Sequence, residues 1–285
     1  MKDLPKRKRG RDRRVERRDS VQDLQDDLIA RISYARSNNL LEYIPLYGKT
    51  RRGRSEKAED HRRMISLVTA ALNNPYKLDC DISKLSGSQK IESILENPRL
   101  GHIEEPCIII NRANHILLWY LPGLLSKTHA KDPNAIIKAS CLIRHNMDCG
   151  VKEWLPSVAL LLLYLDNLLA LTHPALHSAA TSVMELLCSE PSTEEYAKVW
   201  PTVFSGITPI TNQTTKAHCN RFSSYSWYDQ VAAFGSYTSA TFSLPELGAT
   251  LQYNPGSVIQ FSGNLFLHKV DGWDSGDCYC YASFF

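Results

Sequence analysis

The chain has 285 residues, 43% of them hydrophobic and 22% charged. That is enough for one large domain with extensions, or two small ones, around a sizeable core. The net charge of +3 is uneven: residues 1–63 hold 19 of the 33 Lys and Arg and 11 of the 30 Asp and Glu, so the remainder is acidic. A uniformly basic body built to wrap nucleic acid is thereby excluded, and any polybasic function belongs to the N-terminus.

In chain order, Lys6-Arg7-Lys8-Arg9 opens a basic run that continues through Arg11, Arg13, Arg14, Arg17 and Arg18. It reads as a nuclear-localisation or nucleic-acid patch, or as a solvated tail with no specific partner, over residues 1–20. Like-charge repulsion disorders such a segment in either case. Residues 21–100 are expected to be mainly helical. Leu24, Leu28, Ile32 and Leu40 recur at helical spacing within Val21–Ile44; further helices are expected at about Glu56–Leu72 and Gln89–Leu95. Cys107–Ile110 and Ile116–Tyr120 flank a turn at Asn111–Asn114 and read as a hairpin. Helices are then expected over Asn134–Arg144, from about Ser157 to Leu171, and from Pro174 to Cys188, with Pro174 suiting a first helical turn.

The most apolar run, Val158–Leu165, is too short for a membrane span and runs into Asp166 and Asn167; it reads as a buried helix. No secretory signal is expected, because the charged N-terminus has no apolar stretch after it. The eight cysteines form no CxxC pair, which fits a reducing compartment. Only Cys278 and Cys280 lie close together, on one face of an expected strand, and zinc would need two further ligands.

From Phe204 onward, short apolar stretches alternate with Gly, Pro, Asn and Ser. Strands are expected at Ile207–Asn212, Tyr228–Phe234, Thr241–Leu244, Ala249–Tyr253, Ser257–Ser262, Leu265–Val270 and Cys278–Phe284. This spacing indicates a β-sandwich or barrel. Two histidines, His218 and His268, stand beside strand ends in this region, and a jelly roll can bring such distant residues to one mouth. Two His and one carboxylate form the facial triad of non-haem Fe(II) oxygenases.

Several segments carry a more specific pattern. Trp200-Pro201-Thr202-Val203-Phe204-Ser205-Gly206 leads to Asn212-Gln213-Thr214-Thr215-Lys216-Ala217-His218-Cys219-Asn220. Then come Trp227-Tyr228-Asp229, Leu244-Pro245-Glu246-Leu247-Gly248, Pro255-Gly256-Ser257-Val258, Ser262-Gly263-Asn264-Leu265-Phe266-Leu267-His268 and Gly276-Asp277-Cys278-Tyr279-Cys280-Tyr281-Ala282. This ordered series resembles the metal-site half, about residues 200–285, of fungal TET/JBP-like Fe(II)/2-oxoglutarate-dependent dioxygenases. A weaker likeness lies upstream over Pro106–Gly123.

The resemblance implies an α+β fold: a double-stranded β-helix (jelly-roll, cupin-like) over residues 101–285 with the N-terminal helical segment packed on it. It implies Fe(II) at His218, Asn220 and His268, with 2-oxoglutarate near Cys278, Arg221 and Tyr281. The implied ancestral reaction is oxidation of a methyl group on a nucleobase, of the 5-methylcytosine or thymine type. Two positions depart from the pattern. Asn220 stands where the metal-binding Asp is expected, and an amide is the poorer ligand. Cys278 stands where an Arg would grip 2-oxoglutarate, and a thiol cannot supply that bidentate pairing.

Lys216, Arg221 and Lys269 are the only Lys or Arg between Gln213 and Phe285. Asp229 and Asp271 are alternative carboxylates, with Asp229 expected at a surface or turn. Tyr225, Trp227 and Tyr228 are expected as packed aromatics, or as rings that stack a flipped base. Two functions therefore stand side by side: a dioxygenase, or a catalytically inactive nucleic-acid-associated binding or scaffold protein on the same fold. DNA or RNA would meet the basic tail, in the nucleus or otherwise inside the cell, and no membrane association is expected.

Overall fold

A computed structural model describes residues 55–79, 99–126, 147–221 and 223–285, all within the compact unit Lys49–Phe285. The expected basic tail, the helix within Val21–Ile44, and those at Gln89–Leu95 and Asn134–Arg144 lie outside the described residues.

The described elements, in order, are α1 (Ser55–Leu72), β1 (Pro75–Lys77), β2 (Gly101–Ile103), β3 (Cys107–Ile110), β4 (Ile116–Leu121), α2 (Met147–Thr172), α3 (Pro174–Ser189), α4 (Glu194–Ala197), β5 (Gly206–Thr211), β6 (Thr215–His218), β7 (Asp229–Gly235), β8 (Thr241–Leu244), β9 (Ala249–Gln252), β10 (Val258–Phe261), β11 (His268–Val270) and β12 (Cys278–Phe284). The strands form a major sheet, β1-β3-β4-β10-β7-β12-β5, and a minor sheet, β2-β9-β8-β11-β6. Two such sheets around one apolar interior make an α+β protein with a double-stranded β-helix core, as the resemblance implies.

Strand alternation decides what fills that interior. Tyr120 of β4, Ile259 and Phe261 of β10, Ala233 of β7, and Cys278 and Cys280 of β12 join Phe242, Leu244 and Leu251 of the minor sheet in one buried cluster. The other face of the major sheet is buried as well, beneath α2. Trp154 meets Tyr281 edge-on at 5.8 Å. Both faces of these strands are therefore dry, which is why β10 and β12 read as nearly unbroken apolar runs.

Two polar networks pin the helices. The Thr172 hydroxyl at the end of α2 donates to Gln260 Oε1 (2.6 Å), and Gln260 Nε2 donates to Gln230 Oε1 (2.6 Å). All three side chains are buried. Gln260→Ala strips Gln230 Oε1 of its donor, while the Thr172 hydroxyl keeps the Leu168 carbonyl at 2.8 Å, so thermal unfolding should show a loss of about 1–2 kcal/mol. The second network centres on Asp166 of α2. Its Oδ1 accepts from the Thr202 hydroxyl (3.0 Å) and the Val203 amide (2.8 Å), and its Oδ2 lies 3.1 Å from His177 Nε2 on α3.

Most strands expected from the sequence are present within a residue or two, including the β3–β4 hairpin and all of β8 and β12. The elements that sequence reasoning missed are short or exposed. β1 and β2 have three residues each, too few for a period-two signal. β6 buries none of its four residues, so its apolar alternation is absent. The helix α2 begins at Met147 rather than near Ser157 and runs through Pro156. An interior proline removes one helical hydrogen bond at a cost of about 3 kcal/mol; burial of Trp154 and Leu155 offsets it.

Candidate metal centre

β6 and β11 pair antiparallel with His218 directly opposite His268. Residues opposed in this way project to the same side, and the two ring centroids are 4.2 Å apart. Each Nδ1 lies 2.9 Å from the carbonyl oxygen two residues earlier, that of Lys216 for His218 and that of Phe266 for His268. A carbonyl only accepts, so each Nδ1 carries the proton and, in the neutral ring, each Nε2 keeps its lone pair. Metal-binding histidines are held in this way, with the second nitrogen fixing tautomer and orientation.

The two rings differ in environment. His268 is buried, stacked on Phe242 at 5.8 Å and edge-on to Phe261 at 4.7 Å. Burial, with a smaller push from His218, brings its pKa down to about 4, so the ring is neutral at pH 7. His218 is exposed on β6, the last strand of the minor sheet. The pair thus sits at the rim of the barrel, one ring in the core and one in solvent.

Asn220 lies just past β6. Its backbone N–H donates to Gly263 O (2.8 Å), and Asn264 Nδ2 donates to the Asn220 carbonyl (3.2 Å). Its side-chain Nδ2 donates to Asp229 Oδ2 at 2.6 Å. Asp229 is only 3% exposed, which corrects the expectation of a surface or turn carboxylate. The reason is register: Asp229 opens β7 opposite Phe261 of β10 and shares the inward face of Val231 and Ala233. Burial raises its carboxyl to about 6, against the opposing hydrogen bonds of Asn220 and Gly263 and the nearby His218. Its Oδ1 is buried with no hydrogen-bond partner. Gly263 makes this closeness possible, because a Cβ there would overlap Asp229 Oδ2 and crowd Asn220 Nδ2.

The positions expected to face 2-oxoglutarate are scattered. Cys278 and Cys280 point into the barrel. The Tyr253 hydroxyl donates to Cys280 Sγ (3.2 Å), and the Tyr237 hydroxyl donates to the Tyr253 carbonyl (2.7 Å). Burial pushes the thiols up to about 11 at Cys278 and about 12 at Cys280, so both are neutral. Arg221 is exposed, and Lys269 pairs with Asp271 at 2.7 Å. No Lys or Arg is buried among the described residues. Tyr281 is on the opposite face of β12, against Trp154 and Phe234, so the thickness of the sheet separates it from the imidazoles.

Of the aromatics, Tyr228 is packed, whereas Tyr225 and Trp227 are 60% and 39% exposed on the loop that follows Asn220. The described residues contain no group of three His, Cys, Asp or Glu side chains placed for a metal. Sequence reasoning missed the Asp229–Gly263 contact. Its one signal was a glycine five residues before the second histidine.

Residues 146–281 match the Tet_JBP family, described as the oxygenase domain of the 2OGFeDO superfamily. Among solved structures, the chain is similar to NgTET1 in complex with 5mC DNA, at a TM-score of 0.54 and 14% identity, covering 79% of this chain and 89% of that one. At that identity the likeness establishes the fold. A second match is the viral collagen prolyl hydroxylase vCPH from Paramecium Bursaria Chlorella virus-1, at a TM-score of 0.28 and 11% identity, covering 59% and 90% of the two chains. No curated protein sequence matches.

Proposed function

We propose, from the premise that residues 146–281 belong to the oxygenase domains of the 2OGFeDO superfamily, that this chain keeps the metal-holding half of the superfamily's site and lacks the half that grips 2-oxoglutarate. The observation that carries this reading is a contrast within one barrel. His218 and His268 meet with both Nδ1 atoms anchored, whereas Cys278 stands among neutral hydroxyls and thiols.

Fe(II) suits the first of these sets. The Nε2 atoms of His218 and His268 would hold it, with the Asn220 amide oxygen as the third donor. Iron bound there supplies oxygen activation, the chemistry of the superfamily. 2-Oxoglutarate does not suit the second set. It is a dianion, and burying a carboxylate with no paired cation costs several kcal/mol. A thiol that stays protonated cannot replace a bidentate guanidinium.

The function best supported is therefore recognition rather than oxidation: a nucleic-acid-associated binding protein on a barrel descended from nucleobase-methyl oxidation of the 5-methylcytosine or thymine type. The exposed rings of Tyr225 and Trp227, on the loop that follows Asn220, offer stacking surfaces for an unpaired base. The basic run at residues 6–18 offers phosphate neutralisation and a nuclear address. No described helix is long and apolar enough to cross a membrane. The intact imidazole pair favours a second reading, a slow working dioxygenase, and one assay separates the two.

The full chain, loaded with Fe(II) and given 2-oxoglutarate in air, is expected to form no succinate above background. The Asn220→Asp, Cys278→Arg double variant is expected to form it measurably. Stoichiometric succinate from the unsubstituted protein would overturn the reading in favour of the dioxygenase.

A further inference from the structure

We propose that Asp229 is a positioning residue of the metal centre, supplying from behind Asn220 the negative charge that an amide ligand lacks. The inference rests on the reading of His218 and His268 as metal ligands. An amide has one donating end and one accepting end. If its oxygen faced the carboxylate, two lone-pair-bearing atoms would be pressed together, so the 2.6 Å contact fixes Nδ2 toward Asp229 Oδ2. The amide oxygen is then turned away from the carboxylate, as the free acceptor of that side chain.

Three features hold the arrangement. The Asn220 backbone is tied to Gly263 and Asn264. The missing side chain at Gly263 leaves room for the amide and carboxylate to touch. Asp229 itself is fixed in the sheet by its place on β7. Donation of an amide N–H to a carboxylate also draws electron density toward the amide oxygen, as linked hydrogen bonds polarise one another. Asn220 backed by Asp229 is thereby a better oxygen donor than an unassisted carboxamide.

The buried Oδ1 of Asp229, with no partner, is the second sign that this carboxylate is more than structural. A carboxyl group retained only for packing is expected to have both oxygens satisfied. Asp229 does not itself complete a three-residue ligand set in the described geometry, so it acts through Asn220.

The test is Mn(II) binding to the full chain, followed by calorimetry and by the electron paramagnetic resonance of the bound ion. Asp229→Asn keeps the side-chain volume and removes the charge; it should weaken Mn(II) by about 10–100-fold, the usual effect of losing an outer partner of a metal ligand. The swapped pair Asn220→Asp, Asp229→Asn keeps one carboxylate and one amide in contact and should restore affinity to the wild-type level or above. A merely structural role for Asp229 would not be rescued by the swap. Mn(II) binding by the wild type that Asp229→Asn leaves unchanged overturns the positioning role alone. A wild type that binds no Mn(II), like its His268→Leu variant, overturns the metal reading and this inference with it.

Discussion

His268→Leu is expected to abolish the thermal stabilisation that a divalent metal confers while leaving the metal-free protein folded. Leucine occupies a volume close to that of the imidazole between Phe242 and Phe261, and the exchange removes the donor to the Phe266 carbonyl, at a cost of about 1–3 kcal/mol. The metal-free melting temperature should therefore fall by several degrees with the variant still folded. A metal supplied at a hundred times its Kd stabilises the folded state by about 2.7 kcal/mol. For a body of this size that is a rise of roughly 5–10 °C in Tm. The variant, left with one imidazole and an amide, should lose more than the 10–100-fold that an outer partner is worth, and the rise should vanish. Scanning calorimetry with and without Mn(II) reads both quantities. A metal-dependent rise that survives in the variant would place the bound ion elsewhere.

Asp166→Ala is expected to cost about 3–5 kcal/mol, with no dependence on metal. The carboxylate is buried and joins three segments: α2, His177 of α3, and the Thr202–Val203 turn that leads into β5. Its removal leaves a hydroxyl, a backbone N–H and an imidazole without their acceptor, and losing one side of a buried charged network is among the most destabilising of single changes. The expected drop in Tm is roughly 6–20 °C. Chemical denaturation should show it as a lower midpoint at an unchanged slope. A change below 1 kcal/mol would mean that water replaces the carboxylate at all three partners.

The barrel was legible in the sequence because its strands announce themselves twice, by β-rich runs and by the turns between them. Pro245-Glu246-Leu247-Gly248 and Pro255-Gly256 divide β8, β9 and β10 where the expectation placed the breaks. The likeness of the segments around them marked His218 and His268 as candidates, and the fold brings the two rings into contact. The surroundings of Asn220 were not legible. Whether Asp229 faces water or the interior depends on the pairing of β7 with β10, which no local pattern encodes. The destination of Tyr281 was hidden for the related reason that one residue of offset along β12 decides between barrel and helix.

The position of β6 at the end of the minor sheet has a kinetic consequence. His268 belongs to the core and keeps its place as long as the barrel stands. His218 belongs to four residues tied, among the described residues, on one side only, to a neighbouring strand of three. Segments of that kind fray at a small fraction of the free energy of global unfolding. The centre therefore has a permanent jaw and a transient one. An ion held there would stay for a time set by the peeling of one short ribbon rather than by the lifetime of the whole protein.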